Sequence, residues 1–174
     1  MLIRIAIIAT IFVIVFYFFP DAERNNQGEI VSEGNLGVFS LKVGDCLKQT
    51  ISNDSETQEF ETVDAVPCNE PHESEVFYEE DNYHLFLENE FPENTEEIKK
   101  ELLNFCVINL FIKYDFMIDE NFEVNPKYTN IGIVYFSPTK RSWLEKNDKK
   151  VQCLLYDMTG KSLVGKFSEH LSGF

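Results

Sequence analysis

The residues best equipped for chemistry are four cysteines, Cys46, Cys68, Cys106 and Cys153, and a short run around His72. Cysteines can pair, attack as thiolates or hold a metal, and four of them allow three disulfide connectivities. No C-x-x-C spacing occurs, which argues against a thioredoxin-like dithiol. Cys68 and His72 stand four apart, a spacing open to zinc, but structural zinc sites usually offer close-spaced ligands on both sides. His72 follows Pro71, whose ring fixes the backbone ahead of it, and Glu75 lies three residues on. A histidine beside a carboxylate can hold a turn rigid, line a ligand notch or move a proton. Catalysis needs more than this pair. The chain has no G-x-S-x-G, no H-E-x-x-H and no P-loop, and His72, His84 and His170 lack a recognisable nucleophile arrangement. A structural role is therefore expected for His72, with Glu75 or Asp45 as its hydrogen-bonding partner and a ligand notch as the sharper alternative. Trp143 is expected as a core anchor rather than a sugar platform. Glu79, Glu80, Asp81 and Asn82 offer oxygen donors for calcium, but consecutive spacing lacks the alternating ligands and glycine turn of an EF-hand.

These residues must be carried by regular elements. The spacing of Ile98, Leu102, Phe105, Cys106 and Leu110 predicts a helix over residues 95–114, capped by Thr95 with two glutamates in its first turn. Cys106 then points from that helix toward the core. Val151, Cys153 and Leu155 alternate on one face of a strand, so Cys153 points inward as well. A Cys106–Cys153 bond follows, which leaves Cys46–Cys68 between two early extended segments. The stretch 43–47 reads as a turn entering a strand, and 53–55 as a polar turn. Residues 58–66 read as a second strand with Phe60, Thr62 and Val66 on one face. Residues 75–78 and 131–136 complete the set with the strand from Val151.

Composition and charge narrow the classes. Lys and Arg total 15 against 30 Asp and Glu, a net charge of −15. Nucleic acid needs a basic surface, so it is not an expected partner. Residues 54–97 hold 16 acids and no Lys or Arg, read as a solvated surface. Residues 2–19 are apolar apart from Arg4 and Thr10. Residues 1–19 as a helix span about 28 Å, close to the roughly 30 Å hydrocarbon core. Phe18, Phe19 and Pro20 at the exit make a poor cleavage site, so a retained anchor is expected rather than a signal peptide. The positive charge precedes the apolar run, which places the N-terminus in the cytoplasm and the rest outside. All four cysteines then lie where disulfides persist.

The segment V-P-C-N-E-P-H-E-S-E-V at 66–76, with V-G-D-C at 43–46 before it, resembles the septum formation domain family of actinobacterial membrane proteins. That family's pattern opens on G-D-C and centres on V-x-C-x-x-P-H-x-x-E-V. A helix cysteine follows, then a tryptophan ahead of a last cysteine, matched here by Cys106, Trp143 and Cys153. Residues 158–163, M-T-G-K-S-L, resemble the closing T-G-S-L with Lys161 inserted. Asn147-Asp148 stands where the family has Gly-Asp, and Asn is the next-best residue for a left-handed turn. The resemblance covers about residues 41–165. It implies an envelope protein linked to septation and no established catalytic mechanism.

The expectation is an α+β chain: an N-terminal transmembrane helix, then a small disulfide-bonded domain of mainly antiparallel sheet with one long helix packed on it. Residues 1–20 form the anchor, 21–40 a flexible linker, 41–165 the extracytoplasmic domain and 166–174 a tail. Cys46, Cys68, Cys106 and Cys153 form disulfides. Asp45, His72, Glu75 and Trp143 form a structural motif or ligand notch. No catalytic residue, metal or cofactor is expected. The partners are the membrane and an envelope or division protein. The alternative function is a metal-assisted hydrolase acting on envelope material through His72 and Glu75.

Overall fold

Strands apolar on both faces dictate the architecture, because each face must be covered. A computed structural model of the chain describes residues 20–48, 61–92, 95–114 and 130–167. The described strands are β1 (Glu23–Arg24), β2 (Ile30–Ser32), β3 (Gly34–Gly37), β4 (Cys46–Leu47), β5 (Thr62–Val66), β6 (Ser74–Glu80), β7 (Ile131–Phe136) and β8 (Val151–Asp157). Two α-helices accompany them, α1 (Glu96–Lys113) and α2 (Lys140–Lys146). β1 and β2 pair as a small ribbon, and the others form one sheet in the order β3-β5-β4-β6-β8-β7. Every pairing between these strands is antiparallel. The fold is α+β, as the element order predicts.

The two faces of the sheet belong to different covers. Alternation on β8 sends Leu154 to one face and Cys153 and Leu155 to the other. On β7, Val134 and Phe136 join Leu154, while Ile131, Ile133 and Tyr135 turn the other way. Helix α1 covers the Cys153 face with Leu102, Cys106 and Leu110. Thr95 starts this helix, its hydroxyl accepting the Ile98 N–H at 3.3 Å, with Glu96 and Glu97 in the first turn and Lys113 in the last.

The other face corrects the expected linker. Residues 21–40 form β1, β2, β3 and a 3-10 turn (Val38–Ser40), and they bring Ile30 and Val38 onto Leu41, Val63, Ala65, Val76 and Leu154. Polar composition suggests a spacer, but the few apolar residues in it close a sheet face that water would otherwise reach. The strap is fastened at Gly34. Ala22 N–H donates to Asn35 O at 3.0 Å, and Asn35 N–H donates to Pro20 O at 2.8 Å. A Cβ on Gly34 would stand 2.5 Å from backbone atoms of Pro20, Asp21 and Ala22. Gly34→Ala is expected to cost about 1–3 kcal/mol of stability through this backbone overlap. Denaturant unfolding checks it, and a midpoint equal to the parent's would show that the strap does not press on β3.

Three further differences have physical reasons. The inward residues of β5 are Val63, Ala65 and Val66, whereas Thr62 is exposed, so the face expected for Thr62 is the outer one. Helix α2 is a second helix, seven residues long and too short for a periodic signal. Its legible mark is a capping box in which Thr139 and Ser142 exchange side chain to backbone bonds, both at 3.0 Å. Asn147 closes it at φ 53°, in the left-handed turn expected there. Phe167, assigned to a tail, is buried with Phe77, Leu110 and Leu155. Among the described residues no helix is long and apolar enough to cross a membrane. The expected span over residues 1–19, the outlying Phe60 and the turn at 53–55 lie outside the described residues.

Candidate functional site

β4 is the short strand on which the candidate site residues converge in space: it lies between β5 and β6, with Cys46 opposite Val66 on one side and Glu75 on the other. Gly44, at φ 91°, makes the turn into it, and its N–H donates to Val76 O at 2.7 Å. Beyond β5 the chain turns at Pro67, where Glu70 N–H donates to Pro67 O at 2.9 Å. Cys68 rides on that turn and is bonded to Cys46. Cys106 on α1 is bonded to Cys153 on β8. The pairing is the one that the directions of the helix and strands favour.

The segment after this turn is tied to the end of the chain. His72 N–H donates to Leu163 O at 3.0 Å and Leu163 N–H returns to His72 O at 2.7 Å. Gly165 N–H donates to Cys68 O at 2.6 Å. The G-D-C, C-x-x-P-H-x-x-E and T-G-K-S-L segments are thus one knot of backbone.

His72 and Glu75 lie inside it, 1% and 3% exposed. The His72 Nδ1 is 2.9 Å from Glu70 O, and because a carbonyl only accepts, Nδ1 carries the proton. The Glu75 carboxylate accepts the backbone N–H of Phe167. The Cys46 sulfur, a His72 ring nitrogen and a Glu75 oxygen all lie within 4.8 Å of one another. Burial keeps this group from substrate. The Cys46 sulfur, spent in a disulfide, is not a thiolate, so His72 and Glu75 fall short of the three protein ligands of a catalytic zinc.

The charge of Glu75 is felt nearby. Burial, reinforced by Glu75, pushes the Tyr114 phenol up to about 12. The neutral phenol is therefore favoured in the fold. Its contribution is complete below the ordinary phenol value near 10 and is lost as pH rises through about 12. Ultraviolet titration of the parent against Tyr114→Phe should show one tyrosine ionising late. A difference spectrum appearing near pH 10, about the ordinary phenol value, would contradict its burial.

Asp45 does not join His72. Its carboxylate takes both ends of the Arg24 guanidinium, Nη1 at 2.7 Å and Nη2 at 2.6 Å, and also accepts Lys42 N–H at 2.7 Å. The planar guanidinium fork matches both oxygens of the carboxylate. Trp143 stands apart as well. Its Nε1 donates to Phe86 O at 2.9 Å and its ring meets Phe91 edge-on at 5.9 Å, so it anchors the cluster of Tyr83, Phe86, Leu102 and Val151. The four expected notch residues thus divide into a buried His72–Glu75 pair, an Arg24–Asp45 clamp and a core anchor. Sequence reasoning missed Arg24 and Phe167, both assigned to unstructured flanks. The acidic run is met by the later basic one: Lys150 pairs with Glu79 at 3.2 Å and Asp81 at 3.1 Å.

His72→Ala is expected to lower stability by about 1–3 kcal/mol, from a lost hydrogen bond to Glu70 O in a buried setting. Thermal unfolding checks this. A variant that melts like the parent yet loses partner binding would make His72 a ligand contact instead. Comparison with family models, curated proteins and solved structures finds no match to this chain.

Proposed function

We propose that the chain is a membrane-anchored, non-catalytic interaction domain on the outer side of the cell envelope, akin to septum formation proteins and acting with a division-site partner. One observation carries this reading. The three sequence segments that resemble the family meet in a single knot around the buried Cys46, His72 and Glu75, held by Cys46–Cys68, the His72–Leu163 bridge and the Gly165–Cys68 hydrogen bond. A pattern with one structural purpose is what a shared scaffold requires. The buried His72 and Glu75 support a scaffold over a reaction centre. Residues 1–20 supply the anchor in this reading, with the N-terminus inside.

The test is localisation and topology in one chain. A fluorescent fusion ahead of Met1 should collect at the division site. An export-dependent reporter after Phe174 should be active. A fusion spread evenly through the cytosol would sink the proposal. A mature protein beginning near Glu23 would remove the anchor and leave export standing.

A further inference from the structure

We propose that reduction of the Cys46–Cys68 disulfide uncovers a zinc site built from Cys46, Cys68, His72 and Glu75. The Cys46 sulfur, a His72 nitrogen and a Glu75 oxygen already stand within 4.8 Å of one another, and all three residues are buried. Donors around tetrahedral zinc lie about 3.3–3.8 Å apart, given bonds of roughly 2.0–2.3 Å. Movements on the order of 1 Å bring this set to that geometry. Cys68, its Cα 5.3 Å from that of Cys46, supplies the fourth donor once released.

The outer partners that a metal site needs are in place. The Nδ1–H of His72 faces Glu70 O, which leaves Nε2 as the ligand atom in the neutral ring. A carbonyl behind the imidazole is how ligating histidines are oriented. The Glu75 carboxylate is held from the other side by Phe167 N–H. The donors ride on β4, β6 and the turn after β5, and β4 is hydrogen-bonded to both neighbouring strands. That frame has backbone hydrogen bonds of its own beside the sulfur–sulfur bond.

The chemistry balances with a dithiol reductant. It gives two electrons and two protons, the Cys46–Cys68 bond breaks, two thiols form, and the reductant leaves as its own disulfide. Zinc then displaces both thiol protons and is bound by two thiolates, one imidazole and one carboxylate. In the oxidised chain each sulfur holds the other, and only two donors remain. Oxidation and zinc therefore exclude each other at this place. The Cys106–Cys153 bond has no such grouping of histidine and carboxylate among the described residues, and serves as the internal control.

The experiment uses the full chain in detergent, oxidised or reduced with a phosphine, exposed to zinc alone and then freed of excess metal. One zinc per reduced chain is expected, and none per oxidised chain. Cys106→Ala with Cys153→Ala should keep the uptake, and Cys46→Ala with Cys68→Ala should abolish it. His72→Ala should weaken binding by more than the roughly 10–100-fold that loss of an outer partner costs. Because a reduced variant can fail to fold, cobalt in the reduced parent gives a second reading: thiolate charge transfer with tetrahedral bands. Equal uptake by the oxidised chain, uptake that follows Cys106 and Cys153, indifference to His72→Ala, or cobalt without thiolate charge transfer would each overturn the proposal.

Discussion

Replacing Cys106 and Cys153 together by alanine is expected to lower stability by about 4 kcal/mol, the chain-entropy value for closing a loop of 47 residues. Both residues are fully buried, between α1 and β8, where alanine avoids leaving a polar group unsatisfied. The bond joins the helix to the strand at the centre of its face, so its loss frees the whole connection through β7. Cys46→Ala with Cys68→Ala closes a shorter loop of 22 and is expected to cost about 3 kcal/mol. Ordinary domain stability is only about 5–15 kcal/mol, so removal of both bonds brings the domain to the edge of unfolding. Denaturant titration of each double variant measures the shift. A loss below about 1 kcal/mol for the Cys106 pair would mean that the bond does not restrain the unfolded chain as described.

Arg24→Ala is the second large effect, expected at about 3–5 kcal/mol because it leaves Asp45 charged, buried and without its ion partner. The Asp45 side chain is 4% exposed, and Arg24 also donates to Gly28 O at 2.6 Å and Ser40 O at 3.1 Å. One guanidinium thus ties β1, the following turn and the entry to β4. The asymmetry of buried pairs gives a sharp check. Arg24→Met combined with Asp45→Leu should be far less damaging than the sum of the single changes, since no lone charge remains. Simple additivity in that cycle would show that the two residues do not act as a pair.

Local signals made part of this fold legible. The Thr95 cap, the first-turn glutamates and the spacing of Leu102, Cys106 and Leu110 mark α1 within a residue of its ends. Alternation marks β7 and β8, and the inward directions of Cys106 and Cys153 lead to their bond. Residues 21–40 were not legible, because their polar composition resembles a spacer and their contacts are remote. A signal existed in β8, where Leu154 and Leu155 are adjacent and both fully buried, so that one helix cannot cover the sheet. Thr62 misled because β-branched residues suit either face of a strand. In the site, Glu75 was found near His72 because the chain places them three apart. Arg24 meets Asp45 over a separation of 21 and Phe167 meets Glu75 over 92, distances at which a single sequence carries no pairing signal.

Two disulfides staple the domain, and the function we propose puts that domain outside the membrane. Thiol labelling in intact cells tests it most directly, with a membrane-impermeant maleimide applied before and after reduction by an impermeant phosphine. A membrane-bound chain with no labelled cysteine is expected before reduction. After reduction, which brings the domain to the edge of unfolding, Cys46, Cys68, Cys106 and Cys153 should all be labelled from outside while the cells are intact. Free thiols on all four, reached only after the cells are opened, would contradict it.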